Sequence, residues 1–120
     1  MRLTSIAPQF LVSDLEAAIA YYRDALGFRV DFIYESFYAA VSRDRATIHL
    51  KHGDPQSAER ERRKAEEHLD AYIPVEDITS LLDDVQARGA QVIKPLEKRP
   101  WGNVDFYVED LDGYVICFSD

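Results

Sequence analysis

The chain has 120 residues, with a formal net charge of −8 and a pI near 4.8. Apolar residues make up 47% and charged residues 30%, a balance that fits one folded domain and excludes a disordered or fibrous chain. The acidity argues against sequence-independent binding to nucleic acid phosphates. The one cysteine, Cys117, cannot form an intramolecular disulfide, and no apolar run is long enough to span a bilayer or serve as a signal peptide. A cytoplasmic protein with no nucleic acid or membrane partner is therefore expected.

The chain opens with a strand over Ile6–Val12, in which Ile6, Pro8, Phe10 and Val12 share one face. A helix follows. Leu15, Ala18, Ile19 and Tyr22 recur at i, i+3, i+4 and i+7, placing them on one stripe. Asp14 stands at its N-terminus as a cap, and Gly27 ends it. Three strands are predicted next, over Phe28–Tyr34, Phe37–Val41 and Ala46–Lys51. In the last of these Ile48 and Leu50 face the core, while Thr47, His49 and Lys51 point the other way.

Residues 53–68 are polar and mixed in charge, a linker with room for a short solvated helix. The pattern then repeats. Asp70–Val75 reads as a strand. Ile78, Leu81, Leu82 and Val85 form a second stripe, offset by 63 residues from the first, and Asp77 and Gly89 stand where Asp14 and Gly27 stood. Strands over Gln91–Lys94, Val104–Val108 and Tyr114–Phe118 close the chain. Each half reads β-α-β-β-β. The fold class is α+β, with repeat one at 1–52, the linker at 53–68 and repeat two at 69–120 in a single domain. Neither half can bury enough apolar area alone. Their pairing predicts a curved mixed sheet around a cleft with helices outside, the concave geometry in which small ligands bind.

Charge is uneven along the chain. Residues 1–60 carry 7 basic and 8 acidic side chains, and residues 61–120 carry 7 and 14. The acidic second half could attract a cationic ligand or simply present a solvated surface. Trp101, in Pro100-Trp101-Gly102, is either displayed for ligand stacking or fills an apolar gap. Phe32, Tyr34, Phe37 and Tyr38 form an aromatic cluster, at least half of it expected in the core. Asp105 and Tyr107 alternate with Val104, Phe106 and Val108 and so face the cleft, where Asp105 could meet a ligand cation. Lys51 on the same side argues against a cation. The Tyr21-Tyr22 pair is explained by packing, and no catalytic triad or phosphate loop is present.

The segment VSDLEAAIAYYRDALGF, Val12 to Phe28, resembles the first-helix signature of the vicinal oxygen chelate superfamily, which includes glyoxalases, extradiol dioxygenases and bleomycin-resistance proteins. VEDLDGYVICF, Val108 to Phe118, resembles its closing hairpin. The resemblance covers nearly the whole chain. It implies four metal-ligand positions in enzymatic members, which fall here on Ala7, His49, Asp70 and Cys117. Ala7 cannot ligate and Cys117 is a soft thiol, so the ligand pattern is broken. No cofactor is expected, and the balance leans against an enzyme. Thr47-Ile48-His49-Leu50 and Pro100 to Phe106 resemble segments of bleomycin-resistance proteins. That likeness implies a domain-swapped or paired homodimer that sequesters an antibiotic or metabolite, one candidate being a cationic aromatic molecule. The binding residues would be Trp101, Gly102, His49, Asp105, Tyr107, Phe32, Tyr34, Phe37 and Lys51. The alternative is a metal-dependent lyase or dioxygenase that uses His49 with a rearranged ligand set.

Overall fold

The computed structural model describes residues 1–120. Its elements, in chain order, are β1 (Gln9–Val12), α1 (Leu15–Asp24), β2 (Arg29–Tyr34), β3 (Tyr38–Arg43), β4 (Ala46–His52), α2 (Ser57–Ala65), β5 (Ala71–Pro74), α3 (Ile78–Arg88), β6 (Gln91–Lys98), β7 (Val104–Glu109) and β8 (Val115–Ser119). The expected α+β architecture is present. Its eight strands divide into two four-stranded mixed sheets, ordered β1-β4-β3-β2 and β5-β8-β7-β6, with no hydrogen-bonded pair between them. In each sheet the first strand runs parallel to the last, and the other pairs are antiparallel.

The helix stripes do what their spacing predicts. Leu15, Ala18, Ile19 and Tyr22 are all buried, as are Ile78 and Val85 of α3. The Asp14 side chain accepts from Ala17 N at 3.0 Å, and Gly89 ends α3 at φ +93°, a conformation glycine adopts without penalty. Phe10, Val12, Ile48 and Leu50 of the first sheet join Phe106, Val108, Ile116 and Phe118 of the second in one continuous core. Full burial of side chains this size contributes about 1.5–3 kcal/mol each. The opposite face of the first sheet is left without a helix, whereas the end of α2 overhangs that of the second.

The two halves are stitched by the turn between β7 and β8. Tyr22 donates to Asp110 Oδ2 at 2.7 Å, and Tyr21 donates to the Glu109 carbonyl at 2.8 Å. Phe10 stacks on Tyr114 with ring centres 4.2 Å apart. The Tyr114 hydroxyl also bridges the backbone N–H and C=O of Leu11. Burial is the main reason the Asp110 carboxyl is pushed up to about 6, although Tyr22, Tyr114 and Asp112 all donate to it.

Three expectations need correction. The first strand begins at Gln9, not Ile6: residues 1–8 lie outside the sheet, tethered only where His49 N donates to the Pro8 carbonyl at 2.9 Å. Proline has no N–H to extend the ladder, and no strand flanks the outer edge of β1. Strand β6 runs on to Lys98, past Pro95, with irregular pairing to β7 on either side of Lys94. None of Phe32, Tyr34, Phe37 and Tyr38 lies in the core. Strand β2 is an edge strand with no buried residue, so its aromatic residues have no second layer to bury against.

The linker does hold a helix, α2, which buries no residue. Ion pairs dock it to the second half. Arg60 and Arg63 both reach Asp70 Oδ1, at 2.7 and 3.2 Å, and Lys64 reaches Glu109 at 2.9 Å.

Candidate functional site

The faces turned away from the helices differ in kind. On the first sheet the register sets His49 opposite Ala40 on β3 and Gln9 on β1. Tyr38 and His49 Nδ1 share a hydrogen bond of 2.8 Å, and Gln9 donates to the Tyr38 hydroxyl at 3.0 Å. Phe32 lies parallel to Tyr38 at 6.2 Å and edge-on to His49 at 6.3 Å. Lys51 sits 5.4 Å from the Phe37 ring centre. Phe32, Tyr34 and Phe37 remain 47, 59 and 46% exposed. Apolar rings left open together are a common mark of a binding surface.

The equivalent face of the second sheet is polar and closed. Cys117 opposes Tyr72 and Tyr107 as His49 opposes Gln9 and Ala40. It is fully buried, and desolvation pushes its thiol up to about 12. Asp105 is buried too, and Arg99 Nε reaches its two oxygens at 3.0 and 3.1 Å. Arg99 Nη2 donates to the Tyr107 hydroxyl at 2.8 Å. Burial raises the Tyr107 phenol above its ordinary value, and Arg99 opposes that shift.

The sequence-predicted site residues are therefore split. His49, Lys51, Phe32, Tyr34 and Phe37 gather on the first face. Tyr107 and Asp105 belong to the second, where Asp105 is committed to Arg99 and is not free for a ligand cation. Trp101 and Gly102 form the tip of the β6–β7 hairpin, with Trp101 75% exposed, so it fills no gap. Two contributors had no signal in the sequence beyond their type. Gln9 gains a role only from the parallel register of β1 and β4, and Arg99 only from its turn folding back over Asp105.

The four positions where related enzymes hold metal ligands do not fit a metal here. Ala7 offers no donor atom. Asp70 spends Oδ1 on Arg60 and Arg63 and Oδ2 on Val115 N. Cys117 is buried and strongly disfavours its thiolate, the form that binds metal. His49 stands alone, and no group of three His, Cys, Asp or Glu side chains is placed to hold an ion.

A cleft of about 970 Å³ opens between the halves. It runs from Ile6–Pro8 across the start of β4 to β5, and Phe28, Ile73 and Phe118 are among its apolar walls. The outer edges of β1 and β5 have no strand partner. Met1, Leu3 and Ile6 are more than nine-tenths exposed.

Residues 2–118 match the Glyoxalase/Bleomycin resistance protein/Dioxygenase superfamily. No curated protein sequence matches the chain significantly. Solved structures share the fold. A glyoxalase-related enzyme from Clostridium phytofermentans superposes with a TM-score of 0.78 at 17% identity, covering 99% of this chain and 95% of its own. TioX from Micromonospora sp. ML1 gives 0.75 at 18%, covering 97% of both chains. The bleomycin-binding protein of Streptomyces verticillus, complexed with copper(II)-bleomycin, gives 0.75 at 23%, covering 98% and 96%. At these identities the likeness speaks for the fold alone.

Proposed function

Because the chain belongs to the Glyoxalase/Bleomycin resistance protein/Dioxygenase superfamily, whose fold hosts both enzymes and binders, we propose that it is a non-metal binder that sequesters a planar aromatic small molecule. The observation that carries this reading is the open aromatic face around His49, built of Phe32, Tyr34, Phe37 and Tyr38. Rings of this size can stack on a flat ligand for about 0.5–1.5 kcal/mol each beyond the area they bury. His49 and Lys51 supply polar contacts beside them. An antibiotic or a metabolite of this shape would fit, as the likeness to a bleomycin-binding protein suggests.

The site is completed by a second copy of the chain. Three features support a homodimer: the unpaired edges of β1 and β5, the apolar cleft between the halves and the exposed apolar residues of segment 1–8. Exposed edges and apolar patches call for a covering partner. A groove walled by the first face of one protomer and the Trp101 hairpin of the other would use all the gathered residues. Sedimentation is expected to report a dimer that dissociates when residues 1–7 are deleted. A stable monomer at high micromolar concentration rules the dimer out.

Calorimetric titration with copper-free and copper-bound bleomycin, and with a series of neutral planar heteroaromatics, tests the reading. Binding at micromolar protein that Phe32→Ala and His49→Ala weaken is the expected result. A stoichiometric divalent ion that co-purifies with the chain and is lost in His49→Ala would favour the enzymatic alternative.

A further inference from the structure

The acidic count of the second half conceals a concentration of hydrogen-bond donors. A niche of about 320 Å³ lies on the face of the second sheet turned away from α3, where the C-terminal end of α2 overhangs it. It is lined by the apolar Ile93 and Val115, by Tyr107, and by Lys64, His68, Lys94 and the carboxylate of Glu67. At about 30 Å³ per water-sized group, it holds roughly ten such groups.

Two cations flank Tyr107. Lys94 Nζ and the Arg99 guanidinium carbon each lie 5.3 Å from its ring centre. The Tyr107 hydroxyl accepts from Arg99 Nη2, so its own proton is free to be donated. Arg99 spends Nε on Asp105 and Nη2 on Tyr107, and so acts on the niche only through the Tyr107 hydroxyl. The neighbouring acids are already paired: Asp105 with Arg99, Glu109 with Lys64, and Asp70 with Arg60 and Arg63. Only Glu67 closes on Lys94, at 2.6 Å, with Glu97 at 3.9 Å. Both carboxylates are more than half exposed, and pairs of that kind are weak enough to exchange.

We infer that this niche binds a carboxylate carried on a small apolar or aromatic skeleton, with Lys94 and the Tyr107 hydroxyl as donors and Glu67 as the intramolecular counter-ion it displaces. The inference rests on the small-molecule reading above and adds a charge class and a second place on the molecule: acidic composition pointed to a cation, whereas Lys94, held only by exposed carboxylates, and the Tyr107 hydroxyl point to an anion. Charged donors favour an oxyanion over its neutral isostere because each such hydrogen bond is charge-assisted.

The test is calorimetric titration of the full chain with naphthoate, naphthamide and naphthylmethylammonium, which share a skeleton and differ in charge. Naphthoate is expected to bind at least roughly tenfold more tightly than the other two, the effect of one charged hydrogen bond. Lys94→Gln should weaken naphthoate about tenfold and leave naphthamide unchanged, and Glu67→Gln should tighten naphthoate several-fold by removing the competitor. Both side chains are at the surface, and unchanged circular dichroism checks that the variants fold. Equal affinity for the three probes, or no response to either substitution, overturns the anionic site but leaves small-molecule binding standing. No heat from any probe at millimolar concentration overturns both.

Discussion

The two halves share one strand order and one helix stripe, yet the faces they turn away from α1 and α3 have opposite characters. In the first half the residue at the centre of the face is His49, ringed by exposed aromatic side chains. In the second it is Cys117, buried under a network of Arg99, Asp105 and Tyr107. The repeat fixes the backbone, and the side chains diverge because neither of these faces feeds the core that the two halves share. The helix-facing sides could not diverge as freely, since both feed one core that must stay dense.

The largest contrast should appear in stability. Phe106→Ala opens a cavity in the fully buried core and is expected to cost about 3–5 kcal/mol, whereas Phe32→Ala should cost under about 1 kcal/mol because its ring is half exposed. Urea denaturation of the two variants measures the difference. A similar cost for both would mean that the first face is covered in solution.

Asp70 and Ala7 occupy equivalent places in the repeat. Asp70→Ala strips two arginines and a backbone N–H of their partner, at an expected cost of about 3 kcal/mol. Ala7→Ser should be neutral within about 0.5 kcal/mol. Faster proteolysis within α2 of Asp70→Ala would show that the helix detaches.

Asp110 gives the seam a pH signature. Its folded value of about 6 exceeds the ordinary 3.8, so the folded state binds the extra proton between those limits. Stability from this group is therefore greatest below pH 3.8, falls as pH rises to about 6 and is flat above that. The full difference is of order 3 kcal/mol, by the conversion of about 1.4 kcal/mol per unit. Subtracting the stability profile of Asp110→Asn from that of the parent should isolate this slope, and a flat difference would contradict it.

The smallest effect expected is chemical. Native Cys117 should resist alkylation near neutral pH, being buried with its thiol pushed up to about 12, and should react once the chain is unfolded. Mass spectrometry distinguishes the two states.

Much of the molecule was legible in its sequence. The 63-residue offset between the helix stripes, the caps at Asp14 and Asp77 and the alternation in β4, β7 and β8 all rest on local periodicity, which a folded core must respect. Alternation also placed His49 and Tyr107 on the open faces. The fate of the charges could not be read in this way. Asp105 was accessible by alternation, yet its exposure depended on whether the β6–β7 turn returned Arg99 to it. Asp70 was a candidate ligand until α2 folded across it. The core expected for at least half of Phe32, Tyr34, Phe37 and Tyr38 fails because hydrophobicity does not tell an edge strand from a central one. Sequence determined the repeat, the strand faces and the helix ends, because these depend on neighbours a few residues away. Only the tertiary structure decided which acids are neutralised, which donors remain free and which rings stay open, because those outcomes depend on register and on contacts between segments far apart in the chain.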